Sequence, residues 1–203
     1  MAAPHSHSKQ EGSVTNAERI LETLDNRLDH EVSLVVYGRA AIALGFENPP
    51  EAVTKTLDVD AVIPLSESAR FRADLNFWDA QEGTNRELQK EGLYITHLFE
   101  ADQVFLRRDW EQYLVSITRP STRWLKLFRP ATLDLILTKM MRGDDPQDMA
   151  DIAFMVRHDQ TTAERIENAF VEAVIPDLVE LRDAFERAKP RVREIVRQGG
   201  AEQ

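Results

Sequence analysis

The chain has 203 residues, 42% of them hydrophobic and 30% charged, with a formal charge of −10 and no cysteine. Such a composition excludes a disulfide framework, a thiolate metal site and the broadly basic surface that general phosphate-backbone binding needs. No apolar run reaches the ~20 residues that span a bilayer, and the N-terminus lacks the apolar segment of a secretory signal, so a cytoplasmic protein is expected.

Residues 1–13 are small, polar and aperiodic and read as a disordered tail. His5 and His7 within them read as coincidence rather than as a metal site. Thr15 or Asn16 is expected to cap a helix reaching about residue 30, with Ile20, Leu21, Leu24 and Leu28 at helical spacing. "SLVVYG", residues 33–38, is nearly all apolar and rich in β-branched residues, a buried strand closed by glycine. "RAAIALG" then reads as a short helix, and the proline pair that follows demands a loop.

Residues 57–63 form the second expected strand, stopped by Pro64. Ser66 is expected to cap a helix that Gly83 breaks. Residues 93–99 alternate like a strand, and further strands are expected around 103–106, 113–117 and 124–128. From Pro130 the pattern turns helical. Pro130 and Gly143 bracket one helix, and Asp145 and Pro146 open a second in cap and first position. Two more are expected near 162–174 and 177–189. The plan is α+β: a mixed β-sheet flanked by helices over 14–129, a helical C-terminal part over 130–190, and a flexible tail over 191–203.

Two aspartates, Asp58 and Asp60, interrupt the second strand. Alternation puts both on one face, with Leu57, Val59 and Ala61 toward the core. Side by side, two carboxylates repel unless positive charge sits between them. A divalent cation answers that need, since Mg²⁺ binds through one or two carboxylates plus phosphates. The alternative is an exposed pair at the end of an edge strand with Lys55 as partner. Twenty residues upstream, Gly38 joins a strand directly to a helix, whose free N–H groups suit an anion.

The order "LVVYGRAAIALG", then "TLDVDAVI", resembles the nucleotidyltransferase superfamily related to DNA polymerase β. The pattern is closest to its bacterial branch tied to abortive infection and toxin–antitoxin pairs. "LILTKMMRGDDPQDMADIAFMV" continues the likeness with Lys139, Arg142, Asp148 and Asp151, so that it covers about residues 30–160. The resemblance implies Mg²⁺ or Mn²⁺ on Asp58 and Asp60, and an NTP as substrate. It implies Gly38 and Arg39 beside the triphosphate and Lys139 reaching it, with Arg142 and Asp148 nearby. A tRNA or protein acceptor and an antitoxin protein partner are implied too, with no membrane.

The chain departs from that pattern twice. Arg39 stands where the family has Gly or Ser, and no acid lies inside the third strand. His97 occupies the expected place, with Glu100 and Asp102 just beyond the strand end. Glu100 or His97 is therefore the candidate catalytic base. The competing expectation is a catalytically inactive nucleotidyltransferase fold acting as a binding or regulatory module.

Spacing bears on the downstream set independently. Asp148 and Asp151 share one helix face, as do Lys139 and Arg142 on the helix before. The four side chains are expected either to form interhelical ion pairs or to serve a triphosphate. Residues 107–129 hold six basic and two acidic residues and read as a solvated face. Trp110 and Trp124 flank it as packing residues or as platforms for a base.

Overall fold

The computed structural model describes residues 14–201; the expected N-terminal tail, with His5 and His7, lies outside them. Helix α1 (Asn16–Asp25) opens with a capping box. Thr15 Oγ1 accepts from Glu18 N at 3.2 Å, and Glu18 Oε2 accepts from Thr15 N at 2.7 Å. Strand β1 (Val32–Tyr37) runs without a break into α2 (Gly38–Gly45). The short α3 (Glu51–Thr54) leads to β2 (Asp58–Ile63). Next come α4 (Ser68–Ala73), α5 (Leu75–Leu88) and β3 (Tyr94–Glu100).

Three short strands follow, β4 (Leu106–Arg107), β5 (Val115–Ser116) and β6 (Leu125–Arg129). The C-terminal helices are α6 (Thr132–Lys139), α7 (Pro146–His158), α8 (Ala163–Glu172) and α9 (Val179–Ala201). Strand β7 (Ala173–Val174) separates the last two and pairs with β4. The fold is the expected α+β arrangement, a mixed sheet flanked by helices.

The main sheet has the order β3-β2-β1-β6-β5. β2 is antiparallel to β1 and parallel to β3, and β1 is parallel to β6. The aspartate strand is thus interior, which rules out an edge-strand pair. Helices α1, α2 and α5 pack on the sheet. Val59 and Ala61 are buried with them, while Asp58 and Asp60 stay partly exposed on the other face. Leu57 departs from the expectation. It precedes the strand and is 56% exposed, because alternation holds only inside the pleat.

Gly83 does not break its helix, which runs through it to Leu88. A Cβ there would lie 2.8 Å from Arg27 Nη1, so the absent side chain lets α5 approach the residues after α1 closely. Asp74, not Ser66, caps α5 through a 3.0 Å bond from Phe77 N. The proposed flexible tail is also corrected. Helix α9 continues through Pro190 to Ala201, and it buries Val192, Ile195 and Val196 against the core. The heptad-like spacing of those three side chains supplies the apolar stripe that holds it.

Helix α6 is buried along its whole length, all eight residues included. Its polar groups are therefore paired. Asp134, fully buried, holds Arg107 through Nη2 at 2.7 Å and Nε at 3.1 Å. Lys139, 8% exposed, ends the helix beside α7. Asp145 caps α7 by accepting from Gln147 N and Asp148 N, each at 3.0 Å, as the sequence implied.

Candidate active site

A cavity of about 650 Å³ opens where β1, β2 and β3 meet α2, α6 and α7. Asp58, Asp60, Gly38, Arg39, Lys55, His97, Lys139, Arg142 and Asp148 all line it, together with Tyr37 and Phe99. Residues spread over more than 100 positions of sequence thus meet in one place.

The two carboxylates are held from the protein side. Thr56 Oγ1 donates to Asp58 Oδ1 at 2.8 Å. Asp60 Oδ1 accepts from Thr96 Oγ1 at 2.5 Å and from His97 N at 3.3 Å, and lies 3.2 Å from His97 Nδ1. A carboxylate oxygen only accepts, so that imidazole nitrogen carries the proton when the bond forms. An irregularity in the pairing makes this possible. Val59 pairs with Ile95 but Ala61 with Leu98, so Asp60 faces both Thr96 and His97. Bulges of this kind re-aim side chains next to functional sites.

Asp58 Oδ2 and Asp60 Oδ2 have no hydrogen-bond partner among the described residues. A free oxygen on each of two adjacent carboxylates fits a hard cation that completes its shell with water and phosphate. No group of three or more His, Asp or Glu among the described residues is placed to hold a metal ion. Gly38 adopts φ +68°, and a Cβ there would lie 3.5 Å from Asp60 Oδ2. The left-handed turn is what brings the start of α2 against the carboxylate pair, and glycine adopts it without strain. Across the turn, Tyr37 pairs with Asp60. Burial, then the charges of Asp60 and Asp58, push its hydroxyl well above the usual tyrosine range.

The cationic wall is tied down by acids. Arg39 donates to Asp151 twice, at 3.0 and 3.2 Å. Lys139 Nζ donates to Asp151 Oδ2 at 2.7 Å and to Asp148 Oδ1 at 3.0 Å. Arg142 Nε donates to Asp148 Oδ2 at 2.6 Å. Burial pushes the Asp148 carboxyl up, but Arg142 and Lys139 outweigh it and hold it below the usual range. Of the two arrangements open for this set, the side chains adopt the interhelical ion pairs. Lys55 is paired with Glu51 at 2.5 Å rather than with the aspartates.

Glu100 does not reach the site, and its expected role as base is corrected. It lies opposite Ile63, three residues along β2 from Asp60, bonds Arg72, and donates its backbone N–H to Gln103 Oε1 at 2.9 Å. Its carboxyl is held low by that Arg72 contact. His97, by contrast, stands directly on Asp60. Trp110 is buried packing, and Trp124 lies beneath the Arg123 guanidinium, 4.4 Å from its ring centre. Half of the basic window is spent internally, Arg107 on Asp134, Arg119 on Ala43 O and Arg129 on Gly45 O, while Arg108, Arg123 and Lys126 are exposed. Residues the sequence reading passed over are Thr56 and Thr96. The T-x-D spacing of Thr56 and Asp58 was a usable signal, whereas Thr96 depended on strand pairing.

A family model described as "Nucleotidyltransferase of unknown function (DUF6036)" matches residues 14–189. The chain belongs to this family. Searches against curated proteins and against solved structures give no match. Membership gives the chain the general class of nucleotidyltransferase. No helix among the described residues is long and apolar enough to cross a membrane.

Proposed function

We propose that this nucleotidyltransferase moves a nucleoside monophosphate from an NTP to a hydroxyl group on an RNA or protein acceptor, with Mg²⁺ or Mn²⁺ held by Asp58 and Asp60. The observation that carries it is the aspartate pair, each with one free carboxylate oxygen, set against the left-handed Gly38 turn in a single cavity. When bound, the cation neutralises phosphate charge and orients the reacting phosphoryl group. Thr56, Thr96 and the backbone N–H of His97 hold the carboxylates at fixed angles. The turn at Gly38 lets phosphate oxygens approach the backbone, and Lys55 and Arg142 on the cavity wall favour their charge. In the transfer, the acceptor oxygen bonds to the α-phosphorus as the bond to the bridging oxygen breaks. Pyrophosphate leaves, and the hydroxyl proton passes to water in the open cavity. Such chemistry relies on positioning and charge neutralisation more than on a strong base.

Calorimetry with each NTP and Mg²⁺ tests this reading. Saturable, Mg²⁺-dependent binding is expected, and Asp58→Asn/Asp60→Asn should abolish it. Equal heats from both proteins would remove the metal assignment. A second reading, a binding or regulatory module without catalysis, is favoured by one observation: Arg39 is already paired with Asp151, and Lys139 with Asp148 and Asp151. Retained NTP binding with no transfer of an α-phosphate label to tRNA or protein would select it. The likeness to the toxin branch extends the first reading to a toxin restrained by an antitoxin protein. Growth arrest on expression, relieved in the double aspartate variant, is the expected outcome.

A further inference from the structure

We propose that His97, stacked on Phe99, receives the terminal nucleobase of the acceptor, which makes that acceptor a single-stranded nucleic acid. The inference rests on the nucleotidyltransferase reading of the cavity and names the substrate class of the same site.

The two rings are nearly parallel, 2° apart, with centres 5.1 Å from each other. Tyr37 backs Phe99 at 6.4 Å in a tilted arrangement. The bond from His97 Nδ1 to Asp60 Oδ1 fixes the imidazole about its own axis. Yet the His97 side chain is 61% exposed, so the face away from Phe99 meets solvent. β3 is an edge strand of the main sheet, with β2 its one strand neighbour among the described residues. A flat ring that is pre-stacked, pinned and open loses little freedom on binding another flat ring. Any base has such a face, so stacking here tolerates sequence.

Position assigns the base to the acceptor rather than to the NTP. Lys55, Lys139 and Arg142 line the cavity on the α3, α6 and α7 side, whereas His97 and Phe99 lie on β3. In-line displacement puts the leaving pyrophosphate and the attacking hydroxyl on opposite sides of the phosphorus. With pyrophosphate on the cationic side, the attacking end comes from the β3 side, onto the shelf. The chain's charge of −10 fits this mode, since a stacked terminus needs few phosphate contacts.

The probe is a short single-stranded RNA carrying 2-aminopurine at its 3′ end, whose fluorescence falls on stacking, titrated in the presence of Mg²⁺. His97→Phe and His97→Ala both remove the bond to Asp60, so the comparison between them isolates the flat ring. Quenching by the wild type is expected, with affinity for the RNA about ten-fold weaker in His97→Ala than in His97→Phe. Calorimetric affinity for Mg²⁺-ATP should be the same in those two variants. Equal RNA affinity in both overturns the proposal. So does a difference confined to Mg²⁺-ATP, which would give the shelf to the incoming nucleotide. Wild-type protein that binds Mg²⁺-ATP but not the RNA overturns it while the nucleotidyltransferase reading stands. Failure to bind either removes that reading and the inference with it. Matching thermal unfolding of the two variants confirms that the comparison is between folded proteins.

Discussion

Arg39 grips Asp151 through two parallel hydrogen bonds, 112 residues apart in sequence. The same carboxylate takes Lys139. The Arg39 side chain thereby fastens the start of α2 to α7. Arg39→Ala should cost about 1.5–3 kcal/mol of stability, the range for a hydrogen bond to a charged group. Urea denaturation measures it. Unchanged stability with weakened NTP binding would make Arg39 a phosphate ligand instead.

Lys139→Met leaves Asp148 and Asp151 buried and facing each other without their shared cation. Breaking a buried pair from one side costs roughly 3–5 kcal/mol. Arg142 and Arg39 remain to offset part of that, so the low end of the range is expected. A fall in the urea midpoint at constant slope is the readout.

Asp148 sets a pH dependence. Its carboxyl lies below its ordinary value of 3.8 in the folded chain, so between the two values the unfolded chain binds more protons. Stability from this group is therefore present above about pH 4 and is lost as the pH falls through the lower, folded value. Asp148→Asn should flatten the acid limb of the stability profile below pH 4 and lower the plateau above it. An acid limb identical to the wild type would contradict this.

Thr96→Val removes the 2.5 Å donor to Asp60 without touching the core, since Thr96 is exposed. Loss of a group that orients a metal ligand costs 10–100-fold in affinity in general. Mn²⁺- or Mg²⁺-dependent NTP binding should weaken by about ten-fold, with thermal unfolding unchanged.

Truncation after Lys189 removes Val192, Ile195 and Val196 from the core. Each buried aliphatic side chain contributes roughly 1.5–3 kcal/mol. The shortened chain should lose several kcal/mol and unfold at markedly lower temperature, although the family match itself ends at residue 189. Unfolding indistinguishable from the full chain would restore the view of this segment as a dispensable tail.

Much of the site was legible because its signals are local. The glycine closing "LVVYG" became the positive-φ Gly38 at the cavity, and Asp145 with Pro146 opened α7 as their types require. Gly83 misled because helix propensity is weak beside packing, here the approach of Arg27. The segment after Lys189 misled because Pro190 and a run of charges hid a three-residue apolar stripe.

By itself, the sequence determined which side chains share a face. The two-residue repeat of a strand aligns Asp58 with Asp60, and the three-residue step of a helix aligns Asp148 with Asp151, whereas Arg142 lies in a 3-10 turn beyond the end of α6. Tertiary structure decided what those faces meet. Strand order made β2 interior, the shifted β2–β3 register delivered Thr96 and His97 to Asp60, and Glu100 went to Arg72. Periodicity is a property of neighbouring residues, whereas register and partner choice depend on how distant segments pack, and a one-residue slip changes every contact across the sheet.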